Sequence, residues 1–219
     1  MKYSTLFFDL DGTVTDSAEG IYNSLAYALE KLGHPVEDKT VLKPFLGPPL
    51  SESLHDIYGF DEETSMLGVK YYREYYPQKG IFENRVYDGI PELLEKLKDS
   101  GIKIALATSK PEPFAVRILE HFSIDHYFDI IAGSTFDTSR QTKSDVLRYA
   151  VEKAGFPDLS HGLMIGDRKH DILGAHAVGI PCAAVLYGYG SREEFEEYHA
   201  DFIIADIDEL EHFLLNNNE

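Results

Sequence analysis

Two carboxylates that could act together, Asp9 and Asp11, stand between the apolar run Leu6–Phe8 and Gly12. Because alternate side chains of a strand point the same way, both can project from the strand end toward one point. Two adjacent carboxylates repel each other and usually need a cation or a shared proton. Carboxylate oxygens are ligands that suit Mg²⁺. Gly12 permits a tight turn and a close approach of backbone N–H groups to an anion. The alternative is a plain strand-to-turn junction, because aspartate and glycine are common in turns.

Further polar residues follow later apolar runs. Thr108 and Ser109 end one such run, and Asp167 follows another. Asp171 lies four residues after Asp167, so the two share a helix face and both carboxylates can point back to the strand end. Each signal is weak alone, because Ser or Thr after a strand is often only a helix cap and Asp171 could lie on a helix surface.

The elements that must position these residues alternate between strand and helix after residue 82. Runs such as Leu6–Phe8, Ile104–Leu106 and Leu163–Ile165 are apolar throughout, as expected of parallel strands that helices cover on both faces. The pattern predicts a doubly wound, Rossmann-like α/β domain with its ligands at the carboxyl ends of the strands. We predict helices at 90–100, 114–122, 143–154, 170–178, 192–199 and 207–215, and strands at 103–107, 128–132, 163–165, 182–186 and 202–204.

The segment between the first two core strands shows helical periodicity only. Apolar residues recur at helical spacing from Ile21 to Leu32, and further helical patterns cover Ser51–Tyr58 and Glu62–Tyr76. We therefore predict an α/β core from residues 1–15 and 83–219, with an all-helical domain inserted at 16–82.

The composition excludes several classes of protein. The 219 residues are 43% hydrophobic and 26% charged, as in soluble globular proteins, and a net charge of −18 gives no electrostatic footprint for nucleic acid. Cys182 is the only cysteine, which rules out an intrachain disulfide and favours a buried structural thiol. No apolar stretch reaches membrane-spanning length and the first residues lack a signal-peptide pattern, so we expect a cytoplasmic protein without a membrane partner.

The segment Asp9–Thr13 closely resembles the nucleophile motif of the haloacid dehalogenase superfamily of phosphotransferases. Thr108-Ser109, Lys143, and Gly166-Asp167 with Asp171 are similar to its remaining motifs and occur in its order. The resemblance covers nearly the whole chain and is closest to phosphoglycolate-phosphatase-like members with a helical cap.

The resemblance implies a role for each motif residue. Asp9 would be the nucleophile that forms an aspartyl-phosphate, and Asp11 the general acid and base. The Asp9 side chain, the Asp11 backbone carbonyl and Asp167 would bind Mg²⁺, and Asp171 would hold a metal-bound water or Lys143.

The resemblance also implies phosphate contacts. The Thr108 hydroxyl, with a backbone N–H that follows it, would hold a phosphoryl oxygen, and Ser109 belongs to the same motif. Lys143 would neutralise the nucleophile and the phosphate together. Arg140, three residues earlier, is the alternative cation.

The function that the resemblance implies is a Mg²⁺-dependent phosphomonoesterase for a small phosphorylated metabolite, with phosphoglycolate as the named substrate and a nucleoside monophosphate as the alternative. Substrate contacts in the cap are expected from the 47–50 loop or from Arg73. His170 and His176 are expected to be structural rather than metal ligands. The protein is expected to be a monomer or a homodimer.

Two other classes of function stay open. A phosphohexomutase is disfavoured because mutase members carry a histidine near the position of Ile21. A non-enzymatic interaction protein is disfavoured because both aspartates of the first motif are present.

Overall fold

The structure is a computed structural model that describes residues 3–47, 50–137, 139–155 and 161–216. The chain divides into two compact units, one formed by Met1–Asp16 with Val86–Glu219 and the other by Ser17–Arg85.

The first unit contains a six-stranded sheet in the order β5-β4-β1-β6-β7-β8. Every neighbouring pair in it is parallel. The strands of the sheet are β1 Thr5–Phe8, β4 Lys103–Pro111, β5 Ile130–Ser134, β6 Gly162–Gly166, β7 Cys182–Val185 and β8 Phe202–Ile204. Two short strands, β2 Thr15–Asp16 and β3 Arg85–Val86, form a separate two-stranded sheet.

Helices flank the large sheet. They are α4 Ile90–Asp99, α5 Glu112–His121, α6 Lys143–Ala154, α7 Lys169–Val178, α8 Arg192–Glu197 and α9 Ile207–Asn216, with a 3-10 turn at Asp125–Tyr127. Every residue of β1, β6 and β7 is buried, as expected of parallel strands with covered faces. The predicted doubly wound α/β domain is therefore confirmed.

The sheet order determines where the site lies. Strand β1 lies between β4 and β6, so the residues just after these three strands meet at one edge of the sheet. The chain first extends the sheet on the β4 side and later on the β6 side, which makes this edge a topological switch point.

The predicted bounds of strands β4 and β5 were wrong. Strand β4 does not stop at Ala107 but continues to Pro111, because a register shift lets Pro111 pair with Ser134. Thr108 and Ser109 therefore lie within β4 rather than after it. Strand β5 correspondingly covers Ile130–Ser134 instead of 128–132.

The second unit is helical. It contains α1 Ala18–Lys31, α2 Leu50–Tyr58 and α3 Glu62–Tyr75, with a 3-10 helix at Lys39–Phe45 and a π-helical turn at Tyr76–Gly80. Its helices have a buried apolar cluster of their own, formed by Leu25, Leu29, Leu42, Phe45, Leu54, Phe60 and Val69. In the described part of the chain, no helix is long and apolar enough to cross a membrane.

Candidate active site

Asp9 leaves the end of β1 at the switch point. Its backbone N–H donates to the Ile165 carbonyl of β6 at 2.9 Å, so the sheet pairing continues to the residue that bears the carboxylate. Beyond it the chain turns sharply, and the Gly12 N–H donates to the Thr15 carbonyl at 2.7 Å. Gly12 has a φ of 83°, and a Cβ there would lie 2.1 Å from Asp167 Oδ2. Glycine is thus required by the turn and by the close approach of Asp167, whereas its role as an anion donor stays a prediction.

Lys143 is the cation that the structure places against Asp9. Its Nζ lies 2.7 Å from Asp9 Oδ1 and 2.8 Å from Asp171 Oδ1, and it donates to the Ala107 carbonyl at 2.9 Å. Lys143 is the first residue of α6, which begins with a capping box between Thr142 and the third helical residue. The capping box fixes the first residue of the helix, and this position directs the Lys143 side chain into the site.

Arg140 has other partners. Its guanidinium lies 2.5 Å from Glu112 Oε2, donates to the Gly133 carbonyl at 2.6 Å, and lies 3.6 Å from the centre of the Tyr149 ring. The structure therefore places Lys143 beside Asp9 and Arg140 beside other groups, and the phosphate contact of Lys143 stays a prediction.

Asp171 supports the loop that bears Asp167. Its Oδ2 accepts hydrogen bonds from the backbone N–H groups of Asp167 and Arg168, both at 3.1 Å. Its Oδ1 faces Lys143, so one carboxylate joins the β6–α7 loop to the lysine. Both aspartates are buried.

The three carboxylates of Asp9, Asp167 and Asp171 form a buried cluster in which one oxygen from each lies within 4.8 Å of the others. The pKa of the Asp9 carboxyl is raised to about 6, first by burial and also by the charge of the neighbouring Asp171, against the opposite effect of Lys143. Burial and the charges of Asp171 and Asp9 raise the pKa of the Asp167 carboxyl well above its ordinary value. Burial lowers the pKa of Lys143, but the two carboxylates it touches raise it above the ordinary lysine value. The single charge of Lys143 does not balance the three carboxylates of the cluster. Their oxygen atoms form a donor set that fits a hard divalent cation such as Mg²⁺.

Asp11 lies apart from that cluster. Its Oδ2 pairs with Lys110 Nζ at 2.7 Å. The resemblance gives this residue a backbone contact to the metal and a side chain that handles protons, and a side chain outside the cluster is compatible with both.

The residues after Ala107 divide into buried and exposed positions. Thr108 is buried and its Oγ1 accepts from the Lys110 N–H at 3.2 Å, whereas Ser109 is exposed. Sequence reasoning missed Lys110, whose only signal was its place directly after the Thr108-Ser109 pair.

A second missed segment is the Tyr187–Gly190 loop that follows β7. The Tyr189 N–H donates to Asp167 Oδ2 at 2.7 Å, and the Tyr187 hydroxyl donates to the Thr13 carbonyl at 3.0 Å. A Cβ on Gly188 would lie 2.3 Å from the Gly12 carbonyl oxygen and 2.4 Å from Asp167 Cβ. The alternation of tyrosine with glycine was the available signal, because glycine after a strand often marks a close approach of backbone.

The remaining predicted residues are not members of this carboxylate cluster. His176 Nε2 is 2.9 Å from Asp201 Oδ2, and no histidine of the described residues belongs to a candidate metal cluster. Cys182 is buried, and burial raises the pKa of its thiol well above the ordinary value. In the helical unit Arg73 is exposed on α3. Of the predicted 47–50 loop, Pro48 and Pro49 lie outside the described residues.

Comparisons with known proteins show which family the chain belongs to. The model of the family described as "Haloacid dehalogenase-like hydrolase" matches residues 6–185. A 5'-nucleotidase of Pseudomonas aeruginosa is 43% identical over 98% of this chain and 96% of its own length. The tyrosine-protein kinase PtkA of Mycobacterium tuberculosis is 42% identical over 94% of this chain and 70% of its own.

Two further similar proteins are named as phosphatases. A phosphoglycolate phosphatase of Pseudomonas savastanoi pv. phaseolicola is 32% identical over 94% of this chain and 77% of its own. The crystal structure of a predicted phosphatase from Clostridium acetobutylicum is 47% identical, covers 99% of this chain and 100% of its own, and superimposes with a TM-score of 0.92. The chain therefore belongs to the haloacid dehalogenase-like hydrolase family.

Proposed function

We propose that the protein is a Mg²⁺-dependent phosphomonoesterase that works through a phosphorylated Asp9. The observation that supports this most directly is the position of Lys143, which lies between Asp9 and Asp171 inside a buried group of carboxylates. A nucleophile, a charge-neutralising lysine and an oxygen ligand set are the parts that phosphoryl transfer needs, because its catalysis is mostly positioning and electrostatics.

The first half-reaction forms the covalent intermediate. An Asp9 carboxylate oxygen attacks phosphorus as the bond between phosphorus and the ester oxygen breaks. Asp11 gives its proton to the departing oxygen, so that the alcohol leaves neutral. Lys143 stays beside Asp9 and offsets the charge that gathers on the phosphoryl oxygens.

The second half-reaction regenerates the enzyme. Asp11, now ionised, takes a proton from a water molecule, and the water oxygen attacks the phosphorus of the aspartyl-phosphate. The bond between phosphorus and the Asp9 oxygen breaks, inorganic phosphate leaves, and the Asp9 carboxylate returns beside Lys143.

Three groups would hold the metal: the side chains of Asp9 and Asp167 and the backbone carbonyl of Asp11. Bound there, Mg²⁺ would supply positive charge to the phosphoryl oxygens, which is its usual contribution to phosphoryl transfer. Asp171 keeps its other role of holding Lys143 and the β6–α7 loop.

For the substrate, we propose a small phosphorylated metabolite with phosphoglycolate first and a nucleoside monophosphate second. One relative is named for each of these activities. The helical unit would act as a cap that excludes water during transfer and recognises the part of the substrate beyond the phosphate.

The test is release of inorganic phosphate from p-nitrophenyl phosphate, phosphoglycolate and a set of nucleoside monophosphates. Activity should require Mg²⁺, disappear with EDTA and return when Mg²⁺ is restored. Ca²⁺ should restore it poorly, because its larger and looser coordination shell would misplace the nucleophile and the phosphate. Full activity after exhaustive chelation would remove the metal from the mechanism, and no phosphate release from any ester would contradict the proposal itself.

A further inference from the structure

The backbone N–H groups of three consecutive residues at the start of α7 donate hydrogen bonds to two different carboxylates. The N–H groups of Asp167 and Arg168 donate to Asp171, as described above. The third, that of Lys169, donates to Glu194 Oε1 at 2.6 Å. The same oxygen accepts from Arg168 Nε at 3.1 Å.

Glu194 comes from α8, outside the β6–α7 loop that it holds. The next residue, Phe195, is fully buried in the main core cluster. A Cβ on Gly190, just before α8, would lie 2.2 Å from the Asp167 carbonyl oxygen and 2.6 Å from a ring carbon of Phe195. The helix is thus seated against the core directly beside the loop, which gives the Glu194 carboxylate a fixed position.

We infer that Glu194 is a positioning residue that holds the loop of Asp167 in the geometry needed for metal binding. This inference rests on the proposed function, because it assigns the role toward Mg²⁺. Mg²⁺ requires near-ideal octahedral geometry, so a small rotation of the Asp167 backbone would cost affinity. Asp171 fixes one end of the loop and Glu194 fixes the other.

The two carboxylates differ in what their removal would disturb. Asp171 also touches Lys143, so its loss would alter the charge of the site. Among the described residues, the Glu194 carboxylate accepts hydrogen bonds only from the Lys169 N–H and the Arg168 side chain. Its removal should therefore change the placement of Asp167 without changing the reacting groups.

The experiment measures Mg²⁺ binding to the full chain by titration calorimetry, beside the melting temperature in metal-free buffer. Glu194→Ala should weaken Mg²⁺ binding by about 10–100-fold, the usual effect of removing a group that orients a metal ligand. Glu194→Gln should lose less, because its amide oxygen can still accept from Lys169. Glu196→Ala is the matched control, since Glu196 is exposed on the same helix and should bind Mg²⁺ as the wild type does.

A folded Glu194→Ala protein that binds Mg²⁺ as tightly as the wild type would overturn the inference. If that variant does not fold, Glu194→Leu, which keeps the bulk of the side chain but removes the acceptor, decides: weakened binding supports the role, and unchanged binding overturns it. Wild-type protein that binds no Mg²⁺ would overturn the metal-dependent function and this inference together. Wild-type protein that binds Mg²⁺ but releases no phosphate would contradict only the proposed function.

Discussion

Lys143 Nζ and Asp9 Oδ1 lie 2.7 Å apart although the two residues are 134 positions apart in the chain. The lysine side chain is almost completely buried, and Asp171 contacts it from the other side. A buried ammonium between two carboxylates is strongly coupled to both, because leaving either charge without its partner is costly. These three residues therefore join the end of β1, the start of α6 and the start of α7 in one ionic unit.

Replacement of Lys143 tests whether this ionic unit serves catalysis. Lys143→Met should lower kcat by about 10²–10³-fold, the usual cost of removing one preorganised donor from a developing charge. Arg140→Met is the control, because Arg140 contacts Glu112 and Gly133 instead of the carboxylate cluster. Its kcat should stay near that of the wild type. The opposite ranking would assign the phosphate contact to Arg140.

Substitutions of the two aspartates of the first motif should affect activity in different ways. Asp9→Asn should keep the fold and abolish turnover, because an amide does not attack phosphorus. Asp11→Asn should lose more activity toward alkyl phosphates than toward p-nitrophenyl phosphate, whose leaving group needs no proton. Phosphate release by each variant from both esters is the measurement. Substantial turnover by Asp9→Asn would exclude the covalent route, and equal losses for Asp11→Asn would exclude its role as general acid.

Gly174 of α7 should be sensitive to a single methyl group. A Cβ there would lie 2.6 Å from Lys143 Cγ and 2.9 Å from Lys143 Cβ. In most helix interiors a change from glycine to alanine is stabilising by roughly 0.5–1 kcal/mol, but Gly174→Ala should instead displace the lysine. A misplacement of about 1 Å can cost on the order of 10²-fold in rate.

The measurement for Gly174→Ala is kcat together with the melting temperature. Leu173→Ala is the control on the same helix, because Leu173 is 48% exposed and should change kcat little. A Gly174→Ala protein that is more stable and fully active would show that α7 and α6 can separate without cost.

Arg73 tests whether the helical unit selects the substrate. If its exposed guanidinium binds a substrate carboxylate, Arg73→Ala should cost roughly 1.5–3 kcal/mol, or about one to two decades in kcat/KM. The loss should appear for phosphoglycolate and be nearly absent for p-nitrophenyl phosphate, which has no carboxylate. Equal loss for both esters would point to folding or closure of the helical unit instead. No loss for either ester would leave the 47–50 loop as the expected substrate contact.

The sequence by itself determined the class of fold and the places where chemistry could occur. Apolar runs such as Leu6–Phe8 and Leu163–Ile165 identify buried parallel strands, because helices on both faces leave no polar side. Asp9 follows the first run directly and Asp167 follows the second after Gly166, so the rule that ligands bind at strand ends was enough to predict that they lie together. These signals are local, and local signals can be taken from the chain without coordinates.

The tertiary structure decided which side chains meet. The resemblance ranked Lys143 ahead of Arg140, but only the structure shows that Lys143, at the capped start of α6, lies beside Asp9 while Arg140 has other partners. Lys110, Tyr189 and Glu194 gave weak signals because their contacts connect segments far apart in the chain. Strand β4 likewise runs past the polar residues that were expected to end it, since pairing with β5 outweighs local propensity. Side-chain direction and long-range pairing are properties of packing, and they appear only once the elements are assembled.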